Sequence, residues 1–190
     1  MGRREGADNG ALFTSSQYLP KALRFGAVRS CAQRMSEVAG LPLAYAEAIS
    51  LTRYTRGQQY HFHVDSAYPH LPRYGQRHLT AIAYLSDTPD GGETVFPLSG
   101  SRWSNASVPG AYPHTLGHAC AAGAGTVRVA PHTGSCVVFR NHHSASANTT
   151  PILDRCSLHA ACPVLEGEKW IAQLWLHREP WQDDSDGTFW

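Results

Sequence analysis

No run of about 18 apolar residues occurs in the 190-residue sequence, so no segment reads as a membrane-spanning helix. No Cys-x-x-Cys pair occurs either, which argues against a thiolate zinc site. The five cysteines (Cys31, Cys120, Cys136, Cys156, Cys162) are too few and too irregularly spaced for a disulfide scaffold. Cys136, inside the apolar run from Ser135 to Phe139, reads as a small buried hydrophobe. Cys156 and Cys162 flank a strand-like stretch and are the pair expected to bond if any does. Charge is scarce, at 16% of residues against roughly 25% in typical globular chains. Neither sign dominates: Lys+Arg number 16 and Asp+Glu 15, a net charge of +1. That balance argues against nucleic acid or an anionic membrane surface as a partner. The opening segment MGRREGADNG has basic residues with no apolar stretch behind them and does not read as a secretory signal. Gly6 stands where an N-myristoylation motif needs Ser or Thr.

What is present points to a β-rich domain. Gly 17 and Pro 12 supply turns, and 42% hydrophobic residues can build a core. The length suits one domain over residues 1–190. From Pro20 to Val38, apolar residues at Leu23, Phe25, Val28, Cys31, Met35 and Val38 follow helical spacing, and Gly40 and Pro42 end the segment. Short β-like runs follow at 47–54, 60–65, 78–85, 93–96, 127–130, 135–140, 157–164 and 170–177, separated by turn signals such as Asp90-Gly91-Gly92. About eight strands behind one helix predict a mainly β (α+β) fold, a jelly roll or barrel with an N-terminal supporting helix. Residues 98–126 have no period and read as a long loop insertion, with His114 and His118 as solvated loop residues; residues 182–190 read as a polar tail.

Eleven histidines are many for this length. The strongest local feature is His61-Phe62-His63-Val64-Asp65. On a strand, residues two apart share a face, so His63 and Asp65 can grip one metal ion. Alone the pair is a weak signal, because a structural histidine on a strand is common. A third ligand must come from elsewhere, and His159 is the candidate. Two imidazoles and one carboxylate leave three octahedral positions open, the facial triad of non-haem Fe(II) oxygenases. Lys169 follows in a strand-like segment, where a buried ammonium needs a partner. By parity Lys169, Ile171, Gln173, Trp175 and His177 share one face, and Trp170, Ala172, Leu174 and Leu176 share the other. The first face suits a ligand-holding inner wall; an ordinary solvent-facing side with a snorkelling lysine is the alternative.

Several blocks then appear in order. Tyr54-Thr55-Arg56-Gly57-Gln58-Gln59-Tyr60 precedes His63-Val64-Asp65, and Gln76-Arg77-His78-Leu79-Thr80 and Tyr84-Leu85-Ser86-Asp87 follow. Gly91-Gly92-Glu93-Thr94-Val95-Phe96-Pro97, Ser157-Leu158-His159, Cys162-Pro163-Val164, Gly167-Glu168-Lys169-Trp170 and Trp175-Leu176-His177 complete the series. Over about residues 47–178 the chain resembles the prolyl 4-hydroxylases among the Fe(II)- and 2-oxoglutarate-dependent dioxygenases, whose fold is a double-stranded β-helix. The resemblance implies Fe(2+) held by His63, Asp65 and His159. It implies 2-oxoglutarate held by Lys169 with help from Tyr54, Thr94 and Trp175. Tyr60, Arg77 and His177 fall at positions near the substrate peptide. His61, His78, His132, His142 and His143 match no ligand position. The implied reaction couples oxidative decarboxylation of 2-oxoglutarate to hydroxylation of a proline-rich peptide, with ascorbate as a supporting cofactor. The same chemistry on another substrate, or a non-catalytic jelly-roll binding module, are the alternatives. Family members commonly work in the endoplasmic reticulum. Four features depart from the family: a short loop between Asp65 and Arg77 containing Tyr68-Pro69-His70-Leu71-Pro72, Ala67 where an aromatic is frequent, the 98–126 insertion, and an abbreviated N-terminal part.

Overall fold

Helix α1 (Ala27–Ala39) forms where the apolar spacing predicts one. The computed structural model describes residues 15–18, 26–66, 76–99, 115–121, 126–143, 152–183 and 187–188, so the expected first turns at 20–25 lie outside the described residues. The helix buries Ala32, Met35 and Ser36, with Val28, Cys31 and Ala39 packed beside them. Val38, expected on that face, is 66% exposed, because the buried stripe runs through Met35 and Ala39. Gly40, at φ 73°, ends the helix: its N–H bonds the Glu37 carbonyl and the Leu41 N–H reaches back to Ser36. That double closure is a Schellman motif, which needs the left-handed conformation glycine adopts freely.

The helix lies on a five-stranded antiparallel sheet. Its order is β1 (Ser15–Tyr18), β2 (Ser50–Tyr54), β13 (Lys169–Leu176), β4 (Leu79–Tyr84) and β8 (Cys136–Arg140). Strand parity in β13 separates two jobs. Ala172, Leu174 and Leu176 enter the core under α1 with Leu79 and Ala81. Leu174 and Leu176 are fully buried, each worth about 1.5–3 kcal/mol of transfer free energy. The other face carries Lys169, Ile171 and Trp175 inward, so the inner-wall alternative holds and the solvent-facing one fails. A second antiparallel sheet of β3 (Tyr60–His63), β11 (His159–Ala161), β6 (Thr94–Phe96) and β7 (Val127–Val129) faces it. Phe96 and Phe139 join the two layers with rings 5.0 Å apart, and the Tyr84 hydroxyl donates to Thr94 at 2.8 Å. The expected mainly β, double-sheet architecture with one supporting helix is the one observed.

The run predicted at 157–164 divides into β11 and β12 (Val164–Glu166), because Pro163 has no N–H for a ladder. Its carbonyl instead accepts from Gly92, and β12 pairs with β5 (Asp90–Gly91). Gly91 has φ 74°, and a Cβ there would sit 2.2 Å from the Pro163 oxygen, so only glycine fits. The 98–126 insertion holds a short helix, α2 (Leu116–Cys120), N-capped by the Thr115 hydroxyl. His118 is exposed there, as expected, and His114 lies outside the described residues. Leu116 and Ala119 pack against Val95 and Ala160, and a Cys120–Cys162 disulfide fastens α2 beside β11. The expected Cys156–Cys162 pair is therefore corrected: Cys156 is a free thiol. Cys136 is exposed on the outer strand β8 rather than buried. A short pair, β9 (His142–His143) with β10 (Ile152–Leu153), follows β8, and the tail contains another, β14 (Gln182–Asp183) with β15 (Gly187–Thr188). No helix among the described residues is long and apolar enough to cross a membrane.

Candidate active site

The two histidines come together because β3 and β11 are antiparallel neighbours in a register that sets His63 directly opposite His159. Their rings lie 4.1 Å apart. Asp65 was expected on the same strand, but β3 ends at His63 and Asp65 sits in the turn beyond it. It still reaches the histidines, with Oδ1 3.4 Å from His63 Nε2 and Oδ2 3.9 Å from His159 Nε2. One ligand atom from each residue lies within 4.8 Å of the others, and among the described residues no other group of three or more His, Cys, Asp or Glu does so.

The chemistry of these atoms fits a divalent ion. His63 Nδ1 is 2.9 Å from the His61 carbonyl and His159 Nδ1 is 2.9 Å from the Ser157 carbonyl. A carbonyl only accepts, so each Nδ1 carries the proton and each Nε2 keeps a lone pair facing Asp65. His159 Nε2 is buried with no hydrogen-bond partner among the described residues, a cost that a metal bond removes. Burial, then the neighbouring His63, pushes the His159 imidazole down to about 4, so it is neutral and ready to ligate at neutral pH. Burial alone would raise the Asp65 carboxyl, but its two histidine neighbours and the hydrogen bond from the Thr80 hydroxyl outweigh it and hold the carboxyl well below the usual carboxylate range. Ligand atoms of an octahedral ion with bonds of about 2.1 Å sit roughly 3 Å apart, close to the observed spacing.

Lys169 lies on the same side of the fold. It is fully buried, opposite Tyr54 in the β13–β2 register, with Nζ 5.0 Å from the Tyr54 ring centroid and 5.7 Å from that of Tyr84. Its Nζ has no hydrogen-bond partner among the described residues, and burial pushes its amine down to about 7. Tyr54, Tyr84 and Thr94 enclose it and are themselves buried. Burial raises the Tyr84 phenol to about 12, so its hydroxyl stays protonated and donates to Thr94. An unpaired buried cation beside the hydroxyl-bearing side chains of Tyr54, Tyr84 and Thr94 is complementary to one carboxylate of a small diacid.

The remaining predicted residues are placed differently. Tyr60 is 46% exposed, with its ring 4.6 Å from that of His63, at the rim of the metal cluster. Arg77 is buried, donating to Glu47 at 2.5 and 2.8 Å, and its guanidinium stacks 3.9 Å over the Trp175 ring. His177 is buried, with Nε2 3.0 Å from Glu47 Oε1. Arg77, Trp175 and His177 thus form one buried cluster around Glu47, a residue the motifs did not single out. Burial raises the Glu47 carboxyl, but hydrogen bonds from His177 and Arg77 outweigh it and keep it ionised. Thr80 and Asn141, also missed, line the approach to Asp65. A threonine inside the apolar strand Leu79–Tyr84 was the available signal for the first; Asn141 lies past the end of β8, where no period marks it. His61 is exposed, and His142 contacts the Ser66 hydroxyl, so neither joins the cluster. His78, His132 and His143 also lie outside it, as expected. Residues 67–75, including Ala67, lie outside the described residues.

Residues 49–177 match the family described as the 2OG-Fe(II) oxygenase superfamily. Probable prolyl 4-hydroxylase 9 of Arabidopsis thaliana is 32% identical over 153 residues, covering 80% of this chain and 48% of that protein. Prolyl 4-hydroxylase 13 of the same plant is 32% identical over 155 residues, covering 80% and 50%. The chain therefore spans about half the length of the curated relatives it matches. Among solved structures, the fold is similar to viral collagen prolyl hydroxylase from Paramecium bursaria Chlorella virus-1 in its 2OG complex (TM-score 0.59, 21% identity, 86% of this chain and 79% of that one). It is also similar to a Pseudomonas putida prolyl-4-hydroxylase (TM-score 0.50, 18% identity, 87% and 69%).

Proposed function

The chain belongs to the 2OG-Fe(II) oxygenase superfamily, and from that membership we propose that it hydroxylates peptidyl proline at C4. The single observation that carries the reading is the convergence of His63, Asp65 and His159 beside the unpartnered, fully buried Lys169. Relatives named as prolyl 4-hydroxylases support the choice of substrate.

His63 Nε2, His159 Nε2 and an Asp65 oxygen hold Fe(II). Lys169 binds the distal carboxylate of 2-oxoglutarate, with Tyr54 and Thr94, themselves buried, on the same side of the fold. When bound, iron supplies the oxygen chemistry, in which O2 and 2-oxoglutarate are consumed, succinate and CO2 are released, and one oxygen atom becomes the hydroxyl of the proline. Ascorbate would be the supporting reductant, as the resemblance to prolyl 4-hydroxylases implies. Tyr60, at the exposed rim, offers its ring to a proline-rich peptide, whose polyproline II helix costs little ordering entropy to bind. The Glu47–Arg77–His177 cluster with Trp175 closes the wall behind it.

The test is Fe(II)-dependent succinate release with a panel of proline-rich peptides, with hydroxylated residues located by mass spectrometry. Wild type is expected to release succinate and add one oxygen to proline, and His159→Ala to do neither. Full turnover by His159→Ala removes the ligand assignment, and oxygen on a residue other than proline replaces the substrate assignment.

A further inference from the structure

Asp65 is anchored by a relay that runs away from the metal cluster. Thr80 Oγ1 lies 2.7 Å from Asp65 Oδ2, and Asn141 Nδ2 lies 2.9 Å from Thr80 Oγ1. All three side chains are buried, Thr80 and Asn141 completely. The direction of the relay follows from proton inventory. A hydroxyl has one proton and an ionised carboxylate only accepts, so the Thr80 proton goes to Asp65. The amide must then donate to Thr80; turned the other way, it would leave one proton between two acceptors. Asn141 Oδ1 has no partner among the described residues, so the donor end alone sets the amide's orientation. The Asn141 backbone is pinned in turn, its N–H bonding the His78 carbonyl at 2.9 Å and its carbonyl accepting from Asp154 at 2.8 Å.

The relay joins two unlike parts of the fold. Asp65 sits in a turn past the end of β3. Thr80 sits on β4, flanked by Trp175 of β13 and Phe139 of β8 in ladders on both sides. A carboxylate on a turn is thereby tied to a strand inside the sheet.

We propose that Thr80 and Asn141 are positioning residues for the metal carboxylate. They occupy Asp65 Oδ2 and leave Oδ1, the oxygen 3.4 Å from His63 Nε2, to bind the ion alone. This inference rests on the oxygenase reading above. Binding through one oxygen has a chemical consequence: an octahedral ion keeps three positions for co-substrate and O2, whereas a carboxylate binding through both oxygens would take one of them.

The experiment titrates the 190-residue chain with Mn(II) alone and follows free Mn(II) by electron paramagnetic resonance, with folding of each variant checked by circular dichroism. Thr80→Val and Thr80→Ala are expected to lose about 10–100-fold in Mn(II) affinity, the usual effect of removing a partner that orients a metal ligand. Thr80→Ser, which restores the hydroxyl, is expected to restore affinity. Asn141→Leu is expected to lose less, and the Thr80→Val/Asn141→Leu double variant no more than Thr80→Val alone, because Asn141 acts through Thr80. Should both Thr80 variants fail to fold, Asn141→Leu carries the test by itself. Wild-type affinity in the folded variants, or additive losses in the double variant, overturns the relay and leaves the oxygenase reading standing. Failure of the wild-type chain to bind Mn(II) overturns both.

Discussion

Replacing Lys169 by Met, of similar length and without charge, is expected to stabilise the ligand-free protein while abolishing 2-oxoglutarate binding. The ammonium is fully buried with no hydrogen bond among the described residues. Burial takes its pKa from 10.5 down to about 7. At about 1.4 kcal/mol per pH unit that difference is worth about 5 kcal/mol. That difference is itself the net cost of holding the charge in the folded chain, so the penalty is about 5 kcal/mol. Below pH 7 the lysine is protonated in folded and unfolded chains alike, so the folded state carries the whole penalty. Between pH 7 and 10.5 the unfolded chain holds a proton that the folded chain has shed, so wild-type stability rises with pH through this group. The advantage of Lys169→Met is thus about 5 kcal/mol at pH 6 and fades between pH 7 and 10.5. Urea titrations across this range read it directly, and a thermal melt at pH 6 is expected to rise by roughly 10–20 °C. Added 2-oxoglutarate, in the metal-loaded protein, is expected to raise the wild-type midpoint and leave that of the variant unmoved. A variant no more stable than wild type at pH 6, or a gain that persists to pH 10, refutes the burial argument; an unchanged response to 2-oxoglutarate refutes the binding role.

Three further outcomes follow from other contacts. Glu47→Gln removes the carboxylate charge that pairs with the buried guanidinium of Arg77 and is expected to cost about 3–5 kcal/mol in urea unfolding, far more than removal of an exposed charge. Reducing the Cys120–Cys162 bond, which closes a loop with a sequence separation of 42, is expected to lower stability by about 4 kcal/mol on chain-entropy grounds, measured with and without a phosphine reductant. Gly91→Ala is expected to lower the urea midpoint sharply, because its new methyl meets the Pro163 carbonyl at 2.2 Å in a left-handed conformation; an unchanged midpoint would show that the β5–β12 pairing is not constrained there.

The parts of this molecule legible in its sequence are those written by period or by ordered motif. Strand parity in 169–177 correctly sorted an apolar face from an inward one, and helical spacing located α1. The motif series brought His159 to His63 across a sequence separation of 96, which no local rule could do. What escaped depends on pairwise geometry between distant segments. Asp65 left the strand because β3 stops at His63, so the same-face argument was right about the meeting and wrong about its cause. Closing the short Cys156–Cys162 loop costs about 2 kcal/mol less chain entropy, yet the packing of α2 against Val95 and Ala160 decides for Cys120. Glu47 and Asn141 lie outside the strands, where no periodicity marks a polar residue as buried.

The seam between β3 and β11 sets when the protein can acquire its ion. His63 and His159 face one another only after segments far apart in the chain have zipped together in one alignment, and a slip by a single residue would turn an imidazole to the opposite side. A nascent chain that has not yet emitted residue 159 holds at most two of the three donors. Loading with iron thus acts as an inspection stamp at the end of assembly, applied to correctly threaded molecules and withheld from partial or misaligned ones.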